Sequence, residues 1–253
     1  AITSLLFNSP PHQVIPALHR EAKIFPLVRI GTTFLSLSLY NKLVRSRFLW
    51  RDRLMSAFLA PIHFRMYRKI RAQEDLTKAI AALAAEHAWL TEEEAAAYGK
   101  EEPRPLEDII DLSNIHGWLL RQIEDAETRY AKLVTHLLKE DAARFAEIKN
   151  TAFAVGAAHA PKETSPRALY STLDELLLDG MPCDGACMVT DSSEANFTWE
   201  LRLDVHGPFW TKAGGKADHY YTLREKLMEG FLSQSNQRIV TEDRQTYRFA
   251  EKE

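Results

Sequence analysis

Within one short span, Asp204, His206, Asp218 and His219 set two carboxylates close to two imidazoles, the side-chain types that general acid/base catalysis uses near neutral pH. Just upstream, Cys183 and Cys187 are the only thiols of the chain, and with His206 and His219 they make four soft ligands, the number a structural zinc requires. Their spacings match no common finger. Two reduced thiols, no metal and no cofactor are therefore expected. Phosphate loops of the form Gly-x-x-x-x-Gly-Lys or Gly-x-Gly-x-x-Gly do not occur, nor does the nucleophile elbow Gly-x-Ser-x-Gly. The Gly214-Gly215-Lys216 turn is too short to cradle a phosphate by itself. None of the nine histidines has a glutamate three residues before it, which sets aside a ferritin-like dimetal bundle.

A second pair lies further upstream. Arg129 and His136 stand as Arg-x6-His, seven residues apart, so that on a helix both fall on one face two turns apart. This is similar to the Arg-x4-6-His motif of HEPN ribonucleases, helical proteins that cleave RNA without a metal. The residue after the arginine, usually polar in that motif, is Tyr130. The resemblance covers these two positions and implies a ribonuclease as one enzymatic alternative, beside an acid/base catalyst built on Asp204, His206 and His219. A role without catalysis is the favoured expectation.

Charge is distributed unevenly. The net charge is -3, yet residues 1–72 hold 12 Lys and Arg against 2 acids, while residues 73–148 hold 8 against 17. Within Phe34 to Arg71, nine cations face one acid, Asp52: Lys42, Arg45, Arg47, Arg51, Arg53, Arg65, Arg68, Lys69 and Arg71. Tyr40, Phe48, Trp50, Phe64 and Tyr67 are interleaved with them. Cations that neutralise phosphates beside aromatic rings that stack on bases are the combination used for nucleic acids. The expected function is thus a nucleic-acid-binding subunit of a larger assembly, contacting RNA or DNA through those nine residues. The same composition suits an anionic membrane surface or the chain's own acidic segment, and a peripheral subunit of a membrane or multiprotein complex is a further alternative.

The elements that must position these residues are mostly helical. Loop signals at Asn8-Ser9-Pro10-Pro11 precede a helix over 12–24, and a wide apolar stripe predicts another over 33–60. After Pro61 a helix should run from His63 to Trp89. Thr91 and Glu94 form a capping box for a short helix that Gly99 ends. Pro105 opens a further short helix, and Ser113 is placed to cap a long one. On that helix Leu119, Ile123, Ala126, Tyr130, Leu133 and Leu137 recur at spacings of four and three. This seam predicts packing against a helix of the same chain, with the acidic segment and the seam also offering contacts to protein partners. The seam shifts to Leu138, Ala142, Phe145 and Ile148 as it continues.

Past Pro161 to Pro166 the pattern changes. A short helix over 167–178 gives way to alternation at 197–205, the signature of a half-buried strand, with 186–190 as its hairpin partner. Gly207-Pro208 and Gly214-Gly215 read as turns, 217–232 as a helix and 238–249 as one or two strands. The fold class is mainly α, a helical domain over 1–160 followed by a small α+β region over 161–253. No apolar run near the N-terminus reaches the roughly 20 residues of a spanning helix. With two cysteines and no leader pattern, a reducing intracellular compartment, the cytoplasm, is expected.

Overall fold

The computed structural model describes residues 58–99, 102–163, 165–193 and 196–252. The helices expected over 12–24 and 33–60 lie outside that range except for residues 58–60, which are not helical. Among the described residues there are eight α-helices and one four-stranded antiparallel sheet, so the chain is mainly α with a small sheet near its C-terminus.

The first helix, α1 (Pro61–Glu86), begins with the proline whose missing N–H costs nothing at that position. His63 Nδ1 reaches back to accept the Ala60 N–H at 3.0 Å. The next helix, α2 (Glu92–Tyr98), is closed by the capping box, with Thr91 Oγ1 accepting from the Glu94 N–H and Glu94 Oε2 accepting from the Thr91 N–H. A single turn, α3 (Leu106–Ile109), leads into α4 (Ile115–Glu140). The cap of α4 is Asn114 rather than Ser113: Asn114 Oδ1 takes the Gly117 N–H, while Ser113 Oγ is occupied on Asp111 Oδ1 at 2.5 Å.

Helix α4 stops where its seam shifts. Asp141 is extended (φ −155°, ψ 113°) and caps a single 3-10 turn, from which α5 (Phe145–Ala158) departs in a new direction. The seam itself is buried in the chain's own core. Leu119, Ile123 and Ala126 join Met66 and Ile70 of α1 in one apolar cluster, and Tyr130, Leu133 and Leu137 join Leu76, Ile80 and Ala84 in the other. His63 meets His116 and Glu74 meets Arg129, so α1 and α4 run parallel. The residues expected to offer a protein-binding seam are thus buried inside the chain, with Tyr130 against Trp210 and Tyr220.

Downstream come α6 (Pro166–Asp174), a hairpin of β1 (Cys187–Ser192) and β2 (Phe197–Leu201), then α7 (Gly207–Lys212), α8 (Ala217–Phe231), β3 (Gln237–Val240) and β4 (Thr246–Glu251). Gly207-Pro208 starts α7 instead of forming a plain turn, because Asp204 Oδ1 accepts the His206 and Gly207 N–H groups. The strand order is β1-β2-β4-β3. Phe197, Trp199 and Leu201 face the helices, and Trp199 stacks on Tyr247 directly across the β2–β4 ladder. Each such ring taken out of water contributes about 1.5–3 kcal/mol. One core cluster extends from Leu76 to Phe249, so the segments before and after residue 160 share it.

Helices α5 and α8 approach at backbone distance. A Cβ on Gly156 would collide with the Leu227 carbonyl oxygen, and one on Gly230 with that of Phe153. Two glycines at reciprocal positions let the helix backbones touch there.

Candidate functional site

Arg65, Arg68 and Lys69 stand at i, i+3 and i+4 on α1 and therefore share one face. The end of α6 lies against that face. Arg65 donates to Asp174 Oδ2 at 2.7 Å and pairs with Glu175 at 2.8 Å, Arg68 Nε donates to Glu175 Oε2 at 2.9 Å, and Lys69 Nζ sits 2.8 Å from Asp174 Oδ1. Three cations expected on a phosphate are thus engaged with two carboxylates of their own chain. The acids come from the end of α6, not from the acidic middle segment. Arg71 lines a separate cleft with Tyr67, Glu74, Glu102, Arg104 and Trp118, where charges of both signs alternate. Lys42, Arg45, Arg47, Arg51 and Arg53 lie outside the described residues.

The most concentrated electrostatic arrangement lies deeper. His206, at the start of α7, is buried between two carboxylates: its Nδ1 is 2.9 Å from Glu127 Oε1 of α4 and its Nε2 is 3.4 Å from Asp179 Oδ1. Arg224 of α8 clamps the same Asp179 through both terminal nitrogens, at 2.5 and 3.0 Å. The Tyr220 ring stacks on the imidazole with centroids 3.8 Å apart. Burial alone would lower the His206 pKa, but the Glu127 charge and the Asp179 hydrogen bond outweigh it and raise the value to about 9. Burial likewise works against the Asp179 charge, yet Arg224 and His206 hold that carboxyl well below the usual carboxylate range. At neutral pH His206 is an imidazolium with both N–H groups donated. In that form it takes up no proton and ties α4, α7, α8 and the 175–181 loop together.

No family model, curated protein or solved structure matches this chain.

Asp179 also borders a cleft of about 240 Å³, formed between α1, α6 and β1 and bounded by Ile62, Lys69, Tyr170, Asp174 and Cys187. The Tyr170 hydroxyl lies 3.5 Å from Cys187 Sγ. Burial, reinforced by the Asp179 charge, raises the Cys187 pKa, and burial followed by the neighbouring thiol raises that of Tyr170. Both groups stay protonated and act as weak hydrogen-bonding groups, since the nucleophile of a cysteine is its thiolate.

The remaining sequence candidates are dispersed. Asp204 caps α7 and accepts the Tyr221 hydroxyl at 2.8 Å, while exposed Asp218 pairs with Arg244 at 3.4 Å. His219 packs on Phe145 and Trp210, away from His206's carboxylates. Asp204, His206 and His219 therefore do not converge as one acid/base group. Cys183 and Cys187 form no disulfide, and among the described residues no three His, Cys, Asp or Glu side chains are grouped to hold a metal. Arg129 is bound to buried Glu74, whereas His136 is exposed on α4. Sequence reasoning missed Glu127, Asp179 and Arg224. For Glu127 and Arg224 the signal was a charge on an otherwise apolar helix face, Glu127 between Ala126 and Tyr130 of the seam and Arg224 beside Leu223 and Leu227, whereas Asp179 lies in a loop and gave none.

Proposed function

We propose that the chain is a nucleic-acid-binding subunit without catalysis of its own, and that Lys42, Arg45, Arg47, Arg51 and Arg53 make its phosphate contacts. The observation that carries this reading is the division of the basic stretch. Arg65, Arg68 and Lys69 are paired with Asp174 and Glu175, so a polyanion would have to displace an internal partner to reach them. The five upstream cations fall within twelve residues that contain one acid, Asp52, with Phe48 and Trp50 between them. Ion pairing of Arg129 with Glu74, and of His206 with Glu127 and Asp179, supports a structural use for the residues that the enzymatic alternatives require.

The test is fluorescence anisotropy of labelled single-stranded and duplex RNA and DNA with the full chain across a salt series. Five phosphate contacts on a single strand predict a slope of log affinity on log salt of about -3 to -4. Charge reversal at the five upstream positions should flatten that slope, whereas Arg65→Gln with Arg68→Gln should leave it unchanged. Failure to bind at low salt, or full binding by the five-site variant, rejects the reading. Vesicles of anionic lipid in the same assay separate polymer binding from surface binding.

A further inference from the structure

A cleft of about 360 Å³ opens between the C-terminal turns of α4, the start of α5 and the loop joining α7 to α8. Its charged lining is of one sign. Its two cations, Lys139 and Lys216, border it beside the His219 ring, and no carboxylate does among the described residues. In a chain of net charge -3 with 35 acids, such a cleft is a local concentration of cationic groups.

Two buried polar atoms at this cleft have no partner. Thr135 is only 4% exposed and its Oγ1 makes no hydrogen bond, although a helical threonine ordinarily has a backbone carbonyl within reach. His219 Nδ1 is likewise buried and unpaired. Leaving a buried polar group unsatisfied costs about 1–3 kcal/mol, a cost that a bound oxygen would offset at Thr135. The loop is shaped to keep side chains out. A Cβ on Gly215 would overlap Thr135 Oγ1, and Gly214, at φ +75°, would bring its Cβ to 3.0 Å from Lys139 Nζ. The 15-residue helix α8 begins just after Lys216, so its N-terminal N–H groups add partial positive charge at the same edge. Asp218 in that first turn is exposed and directed to Arg244. The opposite wall is apolar, formed by Leu138, Ala142 and Phe145.

We propose that this cleft binds a small organic phosphate, its phosphoryl oxygens held by Lys139, Lys216 and the Thr135 hydroxyl and its carbon body resting on Phe145 and Leu138. The Gly214-Gly215-Lys216 turn is too short to enclose a phosphate alone, and α4 supplies the missing donors. Burial, then the Lys216 charge, lowers the His219 pKa, which fits an imidazole standing in a cationic surround. The site is independent of the upstream basic residues, so failure of either reading leaves the other standing.

Isothermal titration of the full chain with phenyl phosphate, inorganic phosphate and benzoate tests the assignment. Phenyl phosphate should bind saturably at one site. Thr135→Val should weaken it at least tenfold while leaving the melting temperature of the unliganded chain equal or higher, because the lost hydroxyl had no partner. Lys139→Met with Lys216→Met should weaken it further. Inorganic phosphate and benzoate should each bind at least tenfold more weakly. Absence of saturable binding by phenyl phosphate, or equal binding by the wild-type chain and both variants, would overturn the proposal. Equal affinity for inorganic phosphate would overturn the role of the Phe145 wall.

Discussion

Two ionic assemblies hold this molecule together, and they differ in what surrounds them. Where α1 meets α6, Arg65 and Arg68 keep 38% and 60% of their side-chain surface exposed, so water competes for their pairs, while Lys69 and Asp174 beneath them keep 11% and 15%. Around His206 the four charged groups are nearly sealed from solvent, with side-chain exposures of 1–5%. Exposed pairs contribute about 0–1 kcal/mol each and are screened by salt, whereas removing one member of a buried set leaves an uncompensated charge costing about 3–5 kcal/mol. The same residue types therefore serve as an adjustable contact in one place and as a fixed joint in the other.

The contrast can be broken most severely at Asp179. Asp179→Ala leaves Arg224 and the His206 imidazolium without their shared carboxylate, and should cost about 3–5 kcal/mol by urea denaturation at pH 7. Next in size is pH. Since His206 is raised from 6.5 to about 9 on folding, its contribution is fully present below pH 6.5 and is lost as pH rises through 9. Stability should fall by roughly 3 kcal/mol over that window, and His206→Gln should abolish the fall. A packing change without charge serves as the reference: Gly230→Ala forces α8 off the Phe153 carbonyl and should cost about 1–3 kcal/mol equally at all pH and salt values. The smallest effect belongs to the surface. Glu175→Gln should cost under about 1 kcal/mol, and 1 M salt should erase the difference. A large, salt-insensitive loss at Glu175 would remove the distinction between the two assemblies.

What was legible in the sequence follows the range of the interactions. The Thr91–Glu94 capping box and the α4 seam rest on neighbours within a few positions and appear where their spacing places them, whereas the alternation over 197–205 is a strand only over Phe197–Leu201, since Asp204 turns the chain into α7. The seam's shift after Leu137 marked the end of α4, yet the periodicity alone did not reveal that Asp141 would turn extended and cap a new helix. Pairs between distant residues left no such trace. Arg65 meets Asp174 across 109 positions and His206 meets Glu127 across 79, and no local pattern encodes which carboxylate a cation will face. The basic stretch was accordingly legible as charge, and the partner of its described end was not.

The parallel course of α1 and α4 has a kinetic consequence. Antiparallel helices can zip from a short turn, but a parallel pair must first close the whole 87–114 connection, so His63 and Glu74 find His116 and Arg129 only after a long loop is ordered. The β2–β4 ladder and the joint at Asp179 add contacts of still greater sequence separation. Because these contacts join distant parts of the chain, refolding should be slower than its helical content alone implies.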